Sequence, residues 1–428
     1  MALHNRILLG LLGGAIAGVT INLALGLTPQ VEWAVSNVIE PLGRIWLNAL
    51  IMVVIPLIIS TLALGVAGLG SIRKLGRIGL VTLLSFLGLT AVAVILGLFA
   101  VNAIRPGDGV DPDVRNRLMA TYSGQSESAM GLAKGALGVH TFVNIVPRNP
   151  VAAAANGEML AIIFFALMVG IALTTLAPAK AEPLLRFLDS LAHVTIAIIG
   201  MVMKFAPYAV FFLIFSVTAR FGFDLLLSLL WYVLTVVGSL AVFLVLGYSV
   251  ILSLVARRNP MDFFRKARIV MLTAFSTSSS NATLPTTLRV TEEELGVSPQ
   301  IAGFVIPLGA TMNMNGTALF EGITVLFIAQ VFGAGLSLGQ QLIVVLMSVV
   351  TAIGVAGIPG GSIPLLMMVL GMVGLPAEGI AIVLGVDRIL DMCRTTVNVT
   401  GDMVTATIVD RFEGRMPPEA LPAGGMRG

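Results

Sequence analysis

Between Val386 and Asp402 an otherwise apolar run carries Asp387, Asp391, Asp402, Arg388, Arg394, Asn398 and several threonines. At about 100° per residue of helix, Asp387, Asp391, Arg394, Thr395, Asn398 and Asp402 fall on one face about 100° wide, with Arg388 at its edge. An ionised side chain at membrane depth costs about 2.5–3.5 kcal/mol or more, so this face must look into protein, water or a ligand. A self-neutralising ion network is one reading. The number and variety of polar groups favour a ligand site over simple pairing. Asp391 and Arg394 match a zwitterionic acidic ligand: a carboxylate attracts an α-ammonium, and a guanidinium grips a side-chain carboxylate through two hydrogen bonds. The alternative for these two is a mutual salt bridge one turn apart. Asp402, with Asn398 and Asn313, offers hard oxygens suited to an alkali cation.

Three further stretches carry chemistry. Ser276-Thr277-Ser278-Ser279-Ser280-Asn281 lies between two apolar halves and offers hydroxyls and, at a helix break, free backbone N–H groups. Asn313-Met314-Asn315-Gly316-Thr317 reads as an unwound turn with carbonyls facing a cation, or as a kink held by asparagine hydrogen bonds. Glu321, a little over one turn beyond Thr317, is a lone carboxyl that serves as a proton carrier or as a protonated structural hydrogen-bonder. Gly354-Val355-Ala356-Gly357-Ile358-Pro359-Gly360-Gly361 is a glycine-rich interruption of a third apolar segment.

The elements that hold these residues are membrane helices. Of 428 residues, 57% are hydrophobic and 11% charged, against roughly 25% charged in a soluble domain, and the mean hydropathy is +1.00. The length suffices for about eight spans of about 20 residues or more. The net charge of +3 lies in short loops and reports topology, not nucleic-acid binding, and the single cysteine, Cys393, excludes an intramolecular disulfide framework. Met1 to Arg6 runs into apolar sequence without a convincing small-residue cleavage site, so the start reads as the first span. Six spans are expected over about 6–27, 38–69, 76–104, 139–176 (broken by Pro147 and Pro150), 183–221 (kinked near Pro207) and 226–255. The cluster Arg73-Lys74-Leu75-Gly76-Arg77 is expected to be cytoplasmic, which places the N-terminus inside. From Gly107 to about Gly138 a Gly/Ser-rich external loop is expected. Segments 262–290 and 337–373 are each long enough for two half-length helices around a polar or glycine-rich tip. That is the pattern of re-entrant hairpins, and paired interrupted segments point to a transporter binding site.

At these motifs the chain resembles the dicarboxylate/amino-acid:cation symporter family, the glutamate transporter homologues. The likeness covers essentially the whole chain and is most specific in Ser278-Ser279-Ser280, Asn313 to Thr317, Ala356 to Gly360, and Asp391 to Asp402. It implies an all-α polytopic fold of eight transmembrane helices plus two re-entrant hairpins, built as inverted repeats, trimeric and working as an elevator. Residues 1–75 would be scaffold helices one and two, 76–106 the third helix of a transport domain, and 107–225 the external loop with scaffold helices four and five. Residues 226–415 would complete the transport domain: helix six, hairpin one at about 262–290, helix seven at about 299–332, hairpin two at about 337–373 and helix eight at about 376–411. Residues 416–428 would be a cytoplasmic tail.

The resemblance also assigns roles. Substrate would meet Arg394, Asp391, Thr395, Asn398 and Thr317, with backbone at Ser279 and Ile358. One sodium site would use Gly309, Asn313, Asn398 and Asp402; a second would use backbone at Thr311, Ala352, Ile353 and Val355. Gly357, Pro359, Gly360 and Gly361 would form the gate. Two departures stand out. Sodium-coupled members usually carry aspartate where this chain has Asn315, and hydroxyls where it has Phe86 and Leu89, leaving only Thr90 for a third cation site. Proton-cotransporting relatives carry a glutamate at the position of Glu321. The arginine that many relatives place in hairpin one or the last span is absent, with Thr277 and Met392 there; Arg388, one turn earlier, substitutes electrostatically in this reading.

The expected function is import of L-glutamate or L-aspartate through a prokaryotic inner membrane, both termini cytoplasmic. Protons would be at least one driving ion, sodium dependence reduced or absent, with no cofactor. The partners would be lipid and two further copies. A carrier using two sodium sites is the alternative. A C4-dicarboxylate carrier leaves Asp391 without an ammonium, and a pure channel has little use for an Asp/Arg pair. An enzyme is disfavoured because His4, His140 and His193 all lie outside the motif cluster and no activated nucleophile is present there.

Overall fold

The computed structural model describes residues 3–74, 77–110, 146–156, 159–221, 224–353, 355, 357 and 359–413. These residues are helical, with no strand among them. Most of the expected external loop, the expected substrate-binding residue Ile358 and the tail lie outside the described residues.

In chain order the helices are α1 (Leu3–Leu25), α2 (Pro29–Ala34), α3 (Glu40–Ile51), α4 (Val54–Lys74), α5 (Arg77–Ile104), α6 (Pro150–Ala155), α7 (Met159–Thr175), α8 (Pro178–Met203), α9 (Ala206–Phe221), α10 (Asp224–Val242), α11 (Tyr248–Ile251), α12 (Pro260–Thr277), α13 (Ser280–Glu293), α14 (Pro299–Met312), α15 (Asn315–Val331), α16 (Leu338–Thr351), α17 (Ile363–Met372) and α18 (Ala381–Glu413). The second expected span differs in detail. It begins earlier, at Pro29, where Thr28 caps the helix by accepting a hydrogen bond from Val31 N at 3.3 Å. It widens into a π-turn over Val35–Ile39 just before Pro41, and breaks after Ile51, just before Pro56. Pro56, and likewise Pro207 one residue into α9, lack an N–H for the preceding turn, so the axis restarts there.

Six described stretches are long and apolar enough to cross a membrane: Asn5–Leu25, Pro29–Ala67, Ile78–Ile104, Pro178–Met203, Leu227–Ala256 and Pro299–Val331. The two expected hairpins are shorter-limbed. α16 and α17 have 14 and 10 residues, spans of about 21 and 15 Å at 1.5 Å per residue, against a hydrocarbon core of about 30 Å. Neither limb crosses alone. By contrast α18 runs 33 residues without a break.

Packing divides the helices. α1 lies along α9, which also holds α3; α4 packs on α7 and α8. α5 lies along α15, and α18 is flanked by α12, α14, α15 and α10. The α1–α9 contact is close because Gly10, Gly14 and Gly18 form one small-residue stripe against Pro207, Phe211 and Phe215. A Cβ at Gly14 would sit 2.5 Å from the Phe211 carbonyl oxygen, a backbone atom that cannot rotate away. Gly14→Val should therefore push α1 off α9 and destabilise by about 1–3 kcal/mol. Thermal unfolding in detergent should show a midpoint lowered by several degrees, while Gly88→Ala, which meets nothing within 4 Å, leaves it unchanged or raised. Equal midpoints for Gly14→Val and the unsubstituted protein would contradict this account of the contact.

Candidate functional site

Six helix ends meet beside the middle of α18. The chain leaves α12 at Ser278, a non-glycine residue with φ +50°, and re-enters helix at Ser280. α14 ends at Met312; Asn313 (φ −118°, ψ 63°) and Met314 (φ −96°, ψ 54°) are not helical, and α15 begins at Asn315. The unwound turn expected from Asn313 to Thr317 is therefore present, two residues wide. α16 ends at Thr351 and α17 begins at Ile363, the tip passing through Gly360 at φ +76°, a left-handed conformation that glycine adopts without strain. Such ends bring partial positive charge from N–H groups and partial negative charge from carbonyls to one place.

The two hairpin tips touch. Ser279 Oγ donates to the Gly357 carbonyl oxygen at 2.7 Å, and Asn281 N donates to the same oxygen at 3.2 Å. Beneath them a narrow cleft is lined by Ser278, Ser280, Thr317, Val355, Gly357, Ser362, Asp391, Arg394, Thr395 and Asn398, with Met314. Most of the expected substrate residues thus share one cleft. Ser279 contributes through the tip contact and does not line it.

Arg394 is 1% exposed. Its Nη1 donates to Asp387 Oδ1 at 2.9 Å and its Nε to Asp391 Oδ1 at 3.1 Å, while its carbon centre lies 4.2 Å from the Phe320 ring centroid. Nη2 is buried without a hydrogen-bond partner. Asp391 Oδ2 accepts from Gly360 N at 3.1 Å, which ties the second tip to α18. The mutual salt bridge considered from the sequence is real, and it leaves one arginine nitrogen unused.

Asn398 joins α18 to the start of α15. Its Oδ1 accepts from Gly316 N at 2.7 Å and Thr317 N at 3.3 Å, and its Nδ2 donates to Thr317 Oγ1 at 3.1 Å. These bonds satisfy two of the N–H groups that a helix start leaves orphaned. The side-chain oxygen is thereby turned to the break and not to Asp402. Asp402 Oδ1 accepts from Asn313 Nδ2 at 2.8 Å, and Asn313 Oδ1 is buried without a partner. Gly309 permits the approach, since a Cβ there would collide with Asp402 Oδ1. No lysine or arginine among the described residues forms an ion pair with Asp402. Thr311 is exposed and bonds its hydroxyl to Leu308 O at 3.1 Å; Ala352 and Val355 are buried, and Ile353 is partly so, at the end of α16.

Around Asn315 the polar groups bond one another. Thr90 Oγ1 donates to Asn315 Oδ1 at 2.7 Å, Asn315 Nδ2 donates to Tyr248 Oη at 3.0 Å, and Tyr248 Oη donates to Val397 O at 2.9 Å. Phe86 and Leu89 are buried apolar neighbours on α5. Glu321, 0% exposed, accepts from Thr351 Oγ1 at 2.8 Å on Oε2, and its Oε1 has no partner. Sequence reasoning missed Tyr248, Thr351 and Ser362. Nothing marks Thr351 or Ser362 within their apolar limbs. Tyr248 has one local signal, a phenol inside an apolar span, and π-turns flank it at Phe243–Gly247 and Leu252–Ala256.

These features define a class: an all-helical membrane protein whose interrupted helices meet at a buried, charged centre. The chain belongs to the sodium:dicarboxylate symporter family, which it matches over residues 3–412. It is 38% identical over 388 residues to the proton/glutamate-aspartate symporter of Escherichia coli (strain K12), covering 89% of this chain and 87% of the relative. It is 35% identical over 415 residues to the proton/sodium-glutamate symport protein of Geobacillus stearothermophilus, covering 95% and 94%. To the C4-dicarboxylate transport protein of Bacillus subtilis (strain 168) it is 32% identical over 400 residues, covering 93% and 92%. Members of this family are transporters and not enzymes.

Removing the Asn398 side chain should cost more than a surface change. Asn398→Ala leaves the Gly316 and Thr317 N–H groups buried without an acceptor, at about 1–3 kcal/mol. Thermal unfolding of the purified protein should show a clear loss for Asn398→Ala and a smaller one for Thr396→Ala, whose hydroxyl bonds only Met392 O in its own helix. Equal losses would contradict the bridging role.

Proposed function

We propose that this protein is a secondary active symporter for acidic amino acids, L-glutamate or L-aspartate, with protons as at least one coupling ion. The observation that carries the reading is Arg394: a buried guanidinium with one nitrogen unpaired, beside Asp391, in a cleft where helix ends meet. In this reading the ligand replaces the Arg394–Asp391 contact. Its side-chain carboxylate takes Arg394, its ammonium takes Asp391, and Thr395, Asn398, Thr317 and the backbone at Ser279 and Ile358 surround it. The names of two of the relatives agree with glutamate and aspartate as substrates, and a C4-dicarboxylate would bring no ammonium for Asp391 to pair with.

Glu321 is the proposed proton carrier. An isolated buried carboxylate is costly, and a proton on Oε1, the oxygen without a partner, removes the charge. Thr351 bonds Oε2 at the last turn of α16, so the proton's arrival is felt at the base of the second tip. At the proposed third cation site Asn315 offers a neutral amide oxygen that already accepts from Thr90, which supports weak sodium dependence there. A second reading keeps two sodium sites. The unpartnered Asn313 Oδ1 beside Asp402, with Gly309, favours a cation there, and Thr311, Ala352, Ile353 and Val355 would supply the other.

We further propose the architecture: eight spans and two hairpins, α1–α4 and α6–α9 as a trimerising scaffold, and α5 with α10–α18 as the moving unit. Gly357, Pro359, Gly360 and Gly361 form its gate, and a prokaryotic inner membrane holds the assembly with both termini inside.

Uptake into proteoliposomes tests the ion assignment. With an inward proton gradient and no sodium, radiolabelled L-glutamate or L-aspartate should accumulate. Glu321→Gln should lose the dependence on that gradient, and Arg394→Cys should abolish acidic-substrate uptake. Accumulation only when a sodium gradient is added would overturn proton coupling and favour the two-sodium reading.

A further inference from the structure

The charges around the cleft form a chain: Asp387, Arg394, Asp391, Arg388. Arg394 bonds both aspartates, at 2.9 and 3.1 Å. Asp391 in turn lies between two guanidiniums, since Arg388 Nη1 stands 3.7 Å from its Oδ2. Arg388 does not line the cleft beneath the hairpin tips. It lines a second, narrow crevice on the other side of Asp391, between α18 and the apolar residues Ile7, Trp46 and Met203. Its side chain is 12% exposed, and its Nε is buried without a hydrogen-bond partner. At 3.7 Å its link to Asp391 is too long for a good hydrogen bond, so it acts as a charge.

The charge balance explains what that cation does. Arg394 alone against two buried carboxylates leaves a net −1 cluster, which would repel the carboxylate of an incoming ligand. Arg388 brings the cluster to zero. We infer that Arg388 is the counter-cation that neutralises the Asp387–Arg394–Asp391 cluster from behind and so sets its acceptance of a net-anionic amino acid. It does this without touching the ligand. The inference rests on the transport reading above and names Arg388 as a positioning and specificity residue for the same site.

Three variants test it, by initial-rate uptake of L-aspartate or L-glutamate in proteoliposomes. Arg388→Gln should raise KM about tenfold, the scale of one unit charge lost at short range in a buried setting, with the maximal rate little changed. Arg388→Lys keeps the charge and should stay within about threefold of the original KM. Asp387→Asn added to Arg388→Gln restores the zero balance, and asparagine Oδ1 can still accept the Arg394 bond. That pair should recover most of the lost affinity, which repair of a merely structural defect would not do. An unchanged KM in Arg388→Gln, a lysine variant as impaired as the glutamine one, or a double variant no better than Arg388→Gln would each overturn the inference while leaving the transport reading intact. If the unsubstituted protein accumulates no acidic amino acid under any gradient, the transport reading itself falls.

Discussion

A guanidinium held at 1% exposure in a membrane helix is the constraint on which the rest depends. Hydrocarbon offers Arg394 no hydration, so its charge must be met by carboxylates and its nitrogens by acceptors. Asp387 and Asp391, four residues apart on the same uninterrupted helix, meet the charge. Phe320 covers the guanidinium face from α15. The remaining nitrogen and the cleft around it are what a ligand finds. Because α18 must carry these groups in fixed register, it runs unbroken, and the neighbouring segments break instead to bring their ends to it.

Those breaks are held by hydrogen bonds between elements. Asn398 fastens the start of α15 to α18, Ser279 fastens the first tip to the second, and Gly360 fastens the second tip to Asp391. The Glu321–Thr351 bond links the same tip to α15 from below. A change at the ligand position and a change at Glu321 therefore reach the same short segment from two sides. That shared segment is the physical basis for coupling in the proposed cycle.

Much of this was legible in the sequence because breaking a membrane helix requires polar or glycine-rich residues at the break. Ser276 to Asn281, Asn313 to Thr317 and Gly354 to Gly361 stand out against apolar surroundings, and each marks an interruption. The clustering of Asp391, Arg394, Thr395 and Asn398 followed from helical periodicity and holds in the cleft. What escaped was long-range pairing. Tyr248 meets Asn315 across 67 positions of chain, and Thr351 meets Glu321 across 30, with no local pattern to announce either. The sides of α18 also could not be told apart. Asp387 and Arg388 are neighbours in sequence, yet Asp387 bonds Arg394, whereas Arg388 faces α1 and α3 behind the cleft. Prolines moved helix boundaries in a readable way at Pro150, which opens α6, and at Pro207; the break before Pro56 lay inside a run that looked continuous.

The central claim is that a zwitterionic acid exchanges for the Arg394–Asp391 contact. The most direct measurement is an experimental structure of the protein in lipid nanodiscs with saturating L-aspartate. The account predicts ligand beneath the hairpin tips, its side-chain carboxylate on Arg394 and its ammonium on Asp391, with the 3.1 Å Arg394–Asp391 bond opened. Ligand bound elsewhere, or bound there with that salt bridge intact and the ammonium away from Asp391, would contradict it.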